Sequence, residues 1–559
     1  MWVGVVVAAA LVCGCATKVG KSGGGEVKEA QVKTSTQMWV TSEAGDEVAD
    51  KPNVTFARGQ ARGTRVVVRP DARKQTLWGI GTSFTESSAF VLAHLPPEKR
   101  REVMRKIYGE EGANFAMART MIASSDFSVE GKYTYAPTED AELSDFSVAI
   151  DSDGFSRARY PGIVDESFDL LPMIEEAMAI KAAQEDKDLR IVASAWTAPP
   201  WMKDIGQWYI PGSEANGWEG TGGSLKPEHV GTYADYLVKY LDAYAARGVE
   251  IWAITPVNEP NGNSGQWESM HFTPETQRDF IKGHLGPKLR ASAHADTRLL
   301  IYDQNRDHLQ EWADTILGDA EAAQYVYGTA VHWYSSTYKV HEDALAAVHD
   351  AYPDFEIIHT EGTIDDLGKP APNGIADPER FQEEGWFGDD AFWWNANATD
   401  WAYTASWAPN AEDHPIYTPT HRYARNIIVS FDNWMTGWID WNIVLDRDGG
   451  PNHVGNFCGA PIMIDTDTGQ VYYTPVFHVL AQLSRSIRPG DQAVEVETTR
   501  VDLGDDALHA SASVSPDGLL SVQVLNTTKA PIRYDLQVGE DVAQVEIPAN
   551  ALQTVRVRL

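Results

Sequence analysis

Cysteine is nearly absent. The chain has three, Cys13, Cys15 and Cys458. Two fall in an apolar leader, so no disulfide framework staples the fold. Cys458 is then read as a small buried hydrophobe. Positive charge is scarce too: 46 Lys and Arg face 80 Asp and Glu, a formal net charge of −34. Such a chain repels nucleic acid and anionic membrane surfaces, which favours neutral partners. H-E-x-x-H is missing, and the one G-x-S-x-G match, Gly20-Lys-Ser-Gly-Gly24, falls in a Gly-rich polar stretch with no strand pattern before it, which argues against zinc-hydrolase and serine-hydrolase chemistry. Gly20-Lys21-Ser22 is no phosphate loop, because Cys15 stands where its first glycine is required and no strand precedes it. No internal repeat is evident.

What is present is a large folding chain. Its 559 residues exceed one typical domain, and 43% hydrophobic content with 19 Trp argues for a sizeable core. The Trp excess also suits sugars, whose apolar C–H faces stack on aromatic rings. Residues 1–15 form an apolar stretch too short for a membrane span. Within it, Val12-Cys13-Gly14-Cys15 resembles a bacterial lipobox, which predicts export and a lipid on Cys15. Plain secretion is the alternative. Residues 16–36 read as a flexible linker.

Two stretches organise the rest. Ile251-Trp-Ala-Ile-Thr-Pro-Val-Asn258-Glu259-Pro260 is an apolar run of strand length that ends on a carboxylate. Phe355-Glu-Ile-Ile-His-Thr-Glu361-Gly362 does the same. Buried parallel strands read this way, and a (β/α)₈ barrel carries its chemistry where such strands end. Two carboxyl groups so placed are the minimum equipment for glycosidic bond cleavage. The reading is a retaining β-glycosidase, with Glu259 as acid/base and Glu361 as nucleophile.

A β/α alternation surrounds them. The predicted barrel strands are Trp78–Phe84, Asn114–Thr120, Arg190–Trp196, Ile251–Val257, Arg298–Asp303, Tyr327–Trp333, Phe355–Glu361 and Met435–Trp441. Short alternating runs at 37–76 and 490–559 predict antiparallel strands, read as one side β-sandwich built from both ends of the chain. The expected fold class is thus α/β: a TIM barrel over 77–489 beside that sandwich. The Trp-rich connection 362–430 is predicted as a long loop walling a cleft.

With the strands laid out, ordered motifs become visible. They are Gly79-Ile-Gly-Thr-Ser-Phe-Thr-Glu86, Arg119-Thr-Met-Ile-Ala-Ser-Ser-Asp126, Ser194-Ala-Trp196-Thr-Ala-Pro-Pro-Trp201, Asn258-Glu259-Pro260, Val331-His332-Trp333-Tyr334, Thr360-Glu361-Gly362, Gly437-Trp438-Ile-Asp440-Trp441-Asn442 and Gly449-Gly-Pro-Asn-His453. Together they resemble glycoside hydrolase family 30, particularly its glucosylceramidase-like branch. The resemblance implies retention of anomeric configuration, no metal and no cofactor. It assigns Glu259 and Glu361 the roles above. It implies that Asp126, Trp196 and Asn442 hold the first sugar, that Trp438 lines its site, and that Arg119, Asn258 and Tyr334 support the carboxylates. Asn258 also has the position to hydrogen-bond a sugar 2-hydroxyl. His332 lacks a His or Cys at ligand spacing and is read as a histidine satisfied in a polar site.

The expected partner is a neutral β-glucoside, oligosaccharide or glycolipid, with the membrane met only through the N-terminal anchor. Alternatives in the same family are an endo-β-1,6-glucanase and a β-xylosidase. An alternative of another class is a surface glycan-binding lipoprotein without catalysis.

Overall fold

The computed structural model describes residues 1, 33–216, 220–263, 265–336, 338–364, 388–394 and 418–559. The leader with Cys13 and Cys15, most of the linker, and Trp386, Trp401 and Trp407 lie outside the described residues.

Eight parallel strands close into a barrel in chain order: Gly79–Phe84, Met117–Ile122, Arg190–Ala195, Ala253–Thr255, Arg298–Asn305, Gly328–His332, Glu356–Glu361 and Met435–Asp440. The last pairs back onto the first. These are the predicted strands with shifted ends. Strand four is the most shortened, because Pro256 has no N–H to extend the ladder. Strand two starts late, because Asn114 turns the chain at a φ of 52°.

Strand parity explains where chemistry can sit. Met117, Val192, Ala253, Leu300, Ala330, Ile358 and Ile439, one from each of strands two to eight, form a single apolar cluster that fills the barrel. Strand one offers only glycine here. A Cβ on Gly81 would stand 1.6 Å from the Met117 carbonyl oxygen. Two residues further along, on the same face, come Arg119, Ser194, Thr255, His332, Thr360 and Trp441. The floor is apolar and the layer above it, at the C-terminal end of the strands, is almost entirely polar.

The second layer is one eleven-stranded sheet. In hydrogen-bonded order it runs Lys33–Thr34, Thr55–Arg58, Asp541–Ile547, Ile532–Val538, Arg65–Thr76, Gln492–Thr499, Leu508–Val514, Leu519–Asn526, Ala551–Arg558, Gln37–Ser42 and Asp46–Asp50. Both ends of the chain interleave in it, and Lys33–Thr34 belongs to it although the sequence placed these residues in the linker. Its inward residues, among them Val66, Val522, Leu536, Val545 and Val555, form a core separate from that of the barrel. Gln482, fully buried on helix Pro475–Ser486, joins the two. It accepts from Thr41 Oγ1 at 2.7 Å and donates to the Leu552 carbonyl and Thr554 Oγ1, both at 3.1 Å.

The predicted loop 362–430 is corrected where it is described. It contains a helical turn, Asp390–Trp393, and helix Pro419–Asp432. Trp393 and Trp394 are buried beneath that helix and form no cleft wall. The Trp393 carbonyl accepts from Thr420 Oγ1, and Trp394 meets the His421 ring edge-on. Among the described residues no helix is long and apolar enough to cross a membrane.

Glu86, Asp151 and Asp169 are buried near one another beside the segment that follows strand two. Burial, then the charge of Asp169, pushes Glu86 up to about 8. Burial pushes Asp151 up to about 7, although hydroxyls of Tyr135 and Tyr244 bond it at 2.6 and 2.7 Å. A carboxyl whose folded pKa is raised stabilises the fold below its unfolded value, and that contribution is lost as pH rises through the folded value. The melting temperature is therefore expected to fall as pH rises from about 4 to about 8, between the unfolded and the folded values of these carboxyls. Glu86→Gln should flatten that slope, and an unchanged slope would refute the assignment; calorimetric scans across pH check it.

Candidate active site

The site is built around a buried cation. Arg119 projects from strand two with no exposed surface. Its Nη1 donates to Glu361 Oε2, and its Nη2 donates to Asn258 Oδ1 at 2.7 Å and Asp303 Oδ2 at 2.9 Å. Its guanidinium also lies 5.0 Å from the Trp196 ring and 5.6 Å from the Trp441 ring. Burying a guanidinium is costly unless every face is paired, and here each is.

Asp303 is the counter-charge. A register shift between Tyr302 and Gln304 breaks the pairing of strands five and six. Tyr302 and Asp303 both take left-handed φ, at 74° and 65°. This bulge turns Tyr302 outward against Trp312 and brings Asp303 to the site. Asp303 then accepts from Arg119, from Ser194 and Thr255 hydroxyls at 2.8 Å, from Thr360 at 2.7 Å, and from His332 Nε2 at 2.9 Å. Burial opposes its charge, but Arg119 and His332 hold the carboxyl well below the usual carboxylate range. Asp303 was not singled out in the sequence, although it ends predicted strand five as Glu361 ends strand seven.

His332 bridges Asp303 to Glu259, with Nδ1 3.1 Å from Glu259 Oε1. Burial works against its charge, but Glu361 and Asp303 outweigh it and push it up to about 9. At neutral pH it is an imidazolium that donates from both nitrogens. Glu259 stands three residues beyond Pro256 with a φ of 47°, its N–H donating to the Asp303 carbonyl at 2.9 Å. Glu361 is brought inward by a second register shift, between Val331 and His332 as they pair with strand seven. Thr360 and Glu361 therefore both serve the site. Tyr334 donates to Glu361 Oε1 at 3.0 Å, so both carboxylate oxygens are engaged. Burial pushes the Glu361 pKa up, while Arg119 and His332 oppose it.

Further out, Asp126 is buried and accepts from Asn456 Nδ2 at 3.2 Å. Asn442 takes a φ of 41° and accepts from Thr85 Oγ1 at 2.8 Å. Trp196 stacks on Trp441 with centroids 5.2 Å apart. Trp438 is a correction. It is wholly buried, stacked on His359 at 3.6 Å and edge-on to Trp333 at 5.5 Å, so it packs outside the barrel and lines no site. Parity is the reason: Ile439 points in, so Trp438 points out and Trp441 takes the inner position. A pair missed in the sequence, Glu268 and His453, ties the loops after strands four and eight at 3.1 Å, and Ser124 bonds the same carboxylate at 2.8 Å.

Single ligand atoms of Glu259, His332 and Glu361 lie within 4.8 Å of one another. As a metal site this triad is poor, because a doubly donating imidazolium has no lone pair to give. As a pair of carboxyls, Glu259 and Glu361 bring oxygens within 4.8 Å of each other, nearer to the about 5–5.5 Å carboxyl separation of retaining glycosidases than to the about 6.5–9.5 Å of inverting ones. Asp303→Asn removes the charge shared by Arg119 and His332. It is expected to cost about 3–5 kcal/mol of unfolding free energy and to lower the His332 pKa. Denaturant titration and imidazole NMR check both, and an unmoved histidine would refute the charge network.

The sequence profile of the glycosyl hydrolase family 30 TIM-barrel domain matches residues 77–370 and 401–487, and that of the family 30 beta sandwich domain matches residues 492–555. The chain is 30% identical to the lysosomal acid glucosylceramidase of Mus musculus over 84% of its own length and 78% of that protein. It is 27% identical to an endo-1,6-beta-D-glucanase of Neurospora crassa over 75% of its length and 72% of that protein. In fold it resembles SrfJ from Salmonella typhimurium, with a TM-score of 0.73, 22% identity, and 94% of this chain and all of that one covered. With both family domains matched in order over most of its length, this chain belongs to glycoside hydrolase family 30.

Proposed function

We propose that this protein hydrolyses β-glucosides by double displacement, with Glu361 as nucleophile and Glu259 as acid/base. The class itself is set by the family: the chain is a retaining hydrolase of O-glycosyl bonds. The observation that carries the residue roles is the pairing of the two carboxyls. Both oxygens of Glu361 accept, from Arg119 and Tyr334, which suits an ionised group ready to attack. Only Oε1 of Glu259 is engaged by His332, which leaves Oε2 to carry a proton toward the leaving oxygen.

Charge balance supports the same assignment. Arg119 and His332 are cations, and Asp303 and Glu361 are anions, so the buried cluster is neutral when Glu259 is protonated. Attack by Glu361 on the anomeric carbon forms a glycosyl ester and removes its charge. Glu259 gives its proton to the departing oxygen and becomes the anion in its place. The cluster is neutral again, and Glu259 is now a base that takes a proton from water as the ester is cleaved. No step leaves an uncompensated charge in a low-dielectric site. Asn258, its Oδ1 held by Arg119, turns its amide nitrogen toward the sugar, where a 2-hydroxyl bond strengthens in the transition state. Asp126, Trp196 and Asn442 are the proposed grip on the first sugar.

The β-glucoside reading draws on the relatives, whose names specify a glucosylceramide bond or a β-1,6-glucan bond. Export with a lipid on Cys15 is supported by the leader pattern alone. A radiolabelled fatty acid should label the wild type and not Cys15→Ala; equal labelling would refute the anchor.

Glu361→Gly is expected to lower kcat on an aryl β-glucoside by about 10⁴-fold or more, with partial recovery by added azide. Glu259→Gln should lose about 10²–10⁴-fold on a poor leaving group and far less on a dinitrophenyl glucoside, which needs no acid. Steady-state kinetics on the two leaving groups test this, and full activity in either variant would overturn the roles.

A further inference from the structure

On the loops that also carry Asp126 and Trp196 lies a second built surface, a cavity of about 390 Å³ lined by Lys132, Pro200, Gln207, Trp208, Tyr209 and Pro211. It lies between two segments that also serve the site. Lys132 comes six residues after Asp126 on the segment that follows strand two, and Pro200 comes four residues after Trp196 on the one that follows strand three. Trp201 Nε1 joins the two segments by donating to the Ala136 carbonyl at 2.9 Å. The cavity therefore belongs to the C-terminal face of the barrel, where substrates of such folds bind.

Its lining is unusual for this molecule. Trp208 and Tyr209 are only partly buried, and neither ring packs on another aromatic ring among the described residues, whereas most other described tryptophans are buried or paired. Lys132 lies 4.2 Å from the Tyr209 ring centroid and makes no ion pair among the described residues. In a chain of net charge −34, an ammonium without an acidic partner at the rim of a site stands out. Aromatic faces for C–H surfaces, with an ammonium and the Gln207 amide for hydroxyls, form the chemistry of a saccharide site. Lipid would have no use for the polar half of this lining.

The loop is also held in place before any ligand arrives. Lys203 is wholly buried and donates to the carbonyls of Trp208, Gly222 and Ser269 at 2.7, 2.9 and 2.9 Å. One ammonium thus pins the aromatic loop to the loop after strand four. Ile210 adds a backbone bond to the Thr221 carbonyl at 2.8 Å. Preorganisation of this kind lowers the ordering cost of binding.

The geometry points to a remote subsite in which Trp208, Tyr209 and Lys132 hold a further neutral sugar unit of an oligosaccharide substrate. This rests on the proposed glycosidase activity and deepens it: the enzyme works on glycan chains and gains from their length. The experiment compares kcat/KM for an aryl β-glucoside with that for β-1,3-, β-1,4- and β-1,6-linked gluco-oligosaccharides of two to five units, in wild type, Trp208→Ala and Lys132→Met. The expected result is a rise with chain length for one linkage in wild type. Trp208→Ala should reduce that rise by about tenfold, equal to about 1.4 kcal/mol, with Lys132→Met reducing it less and aryl β-glucoside turnover unchanged in both. No length dependence for any linkage, a length dependence untouched by both variants, or an equal fall on the aryl glucoside would overturn the subsite. Absence of all turnover in wild type would instead overturn the glycosidase reading.

Discussion

The ion pair between Arg119 and Asp303 at the top of the barrel is what the rest of the site depends on. Both side chains are completely buried, so neither is tolerable without the other. Arg119 spends its donors on Glu361, Asn258 and Asp303, and Asp303 spends its lone pairs on Arg119, His332 and three hydroxyls. Each group that faces substrate is therefore fixed by a contact it cannot give up cheaply. Preorganisation of this kind is the larger part of what a hydrolase offers its transition state.

Under the proposed roles, the network lets one pair of carboxyls do two jobs. In the proposed double displacement, two cations against one permanent anion, Asp303, leave room for one more negative charge, and that charge moves between Glu361 and Glu259. His332 is charged at neutral pH in the free enzyme, where Glu361 and Asp303 push it up to about 9. It holds Glu259 by one oxygen, and in the proposed mechanism the other is left for the leaving group. The backbone contributes as well. Left-handed conformations at Glu259, Asp303 and Asn442 cost of order 1–3 kcal/mol each and are retained where they aim a polar side chain at the same space.

Stability and chemistry are kept apart by strand parity. The apolar floor of the barrel, from Met117 round to Ile439, contributes packing. The polar layer two residues higher contributes function. A single-residue slip in any strand would exchange the two, which is why bulges at Asp303 and Thr360 matter: they shift parity only at the last turn, after the floor has been laid. The sandwich core is separate and meets the barrel through buried amides such as Gln482.

The barrel, the sandwich made from both chain ends and the strand-end positions of the two glutamates were legible in the sequence, because apolar runs that end on a carboxylate are local patterns and period-2 alternation is a local pattern too. Arg119, Asn258, Tyr334 and His332 were also legible, each lying within a few residues of a strand end. Orientation across strands emerged only from the folded chain. Trp438 and Trp441 stand three residues apart on one motif, and nothing local says which one faces in; closure of the barrel with Ile439 inward settles it. Asp303 owes its place to a bulge that no composition announces. Glu268 and His453 meet from loops 185 residues apart. Parity, bulges and long-range pairing are properties of neighbouring strands, and a single strand carries no record of its neighbours.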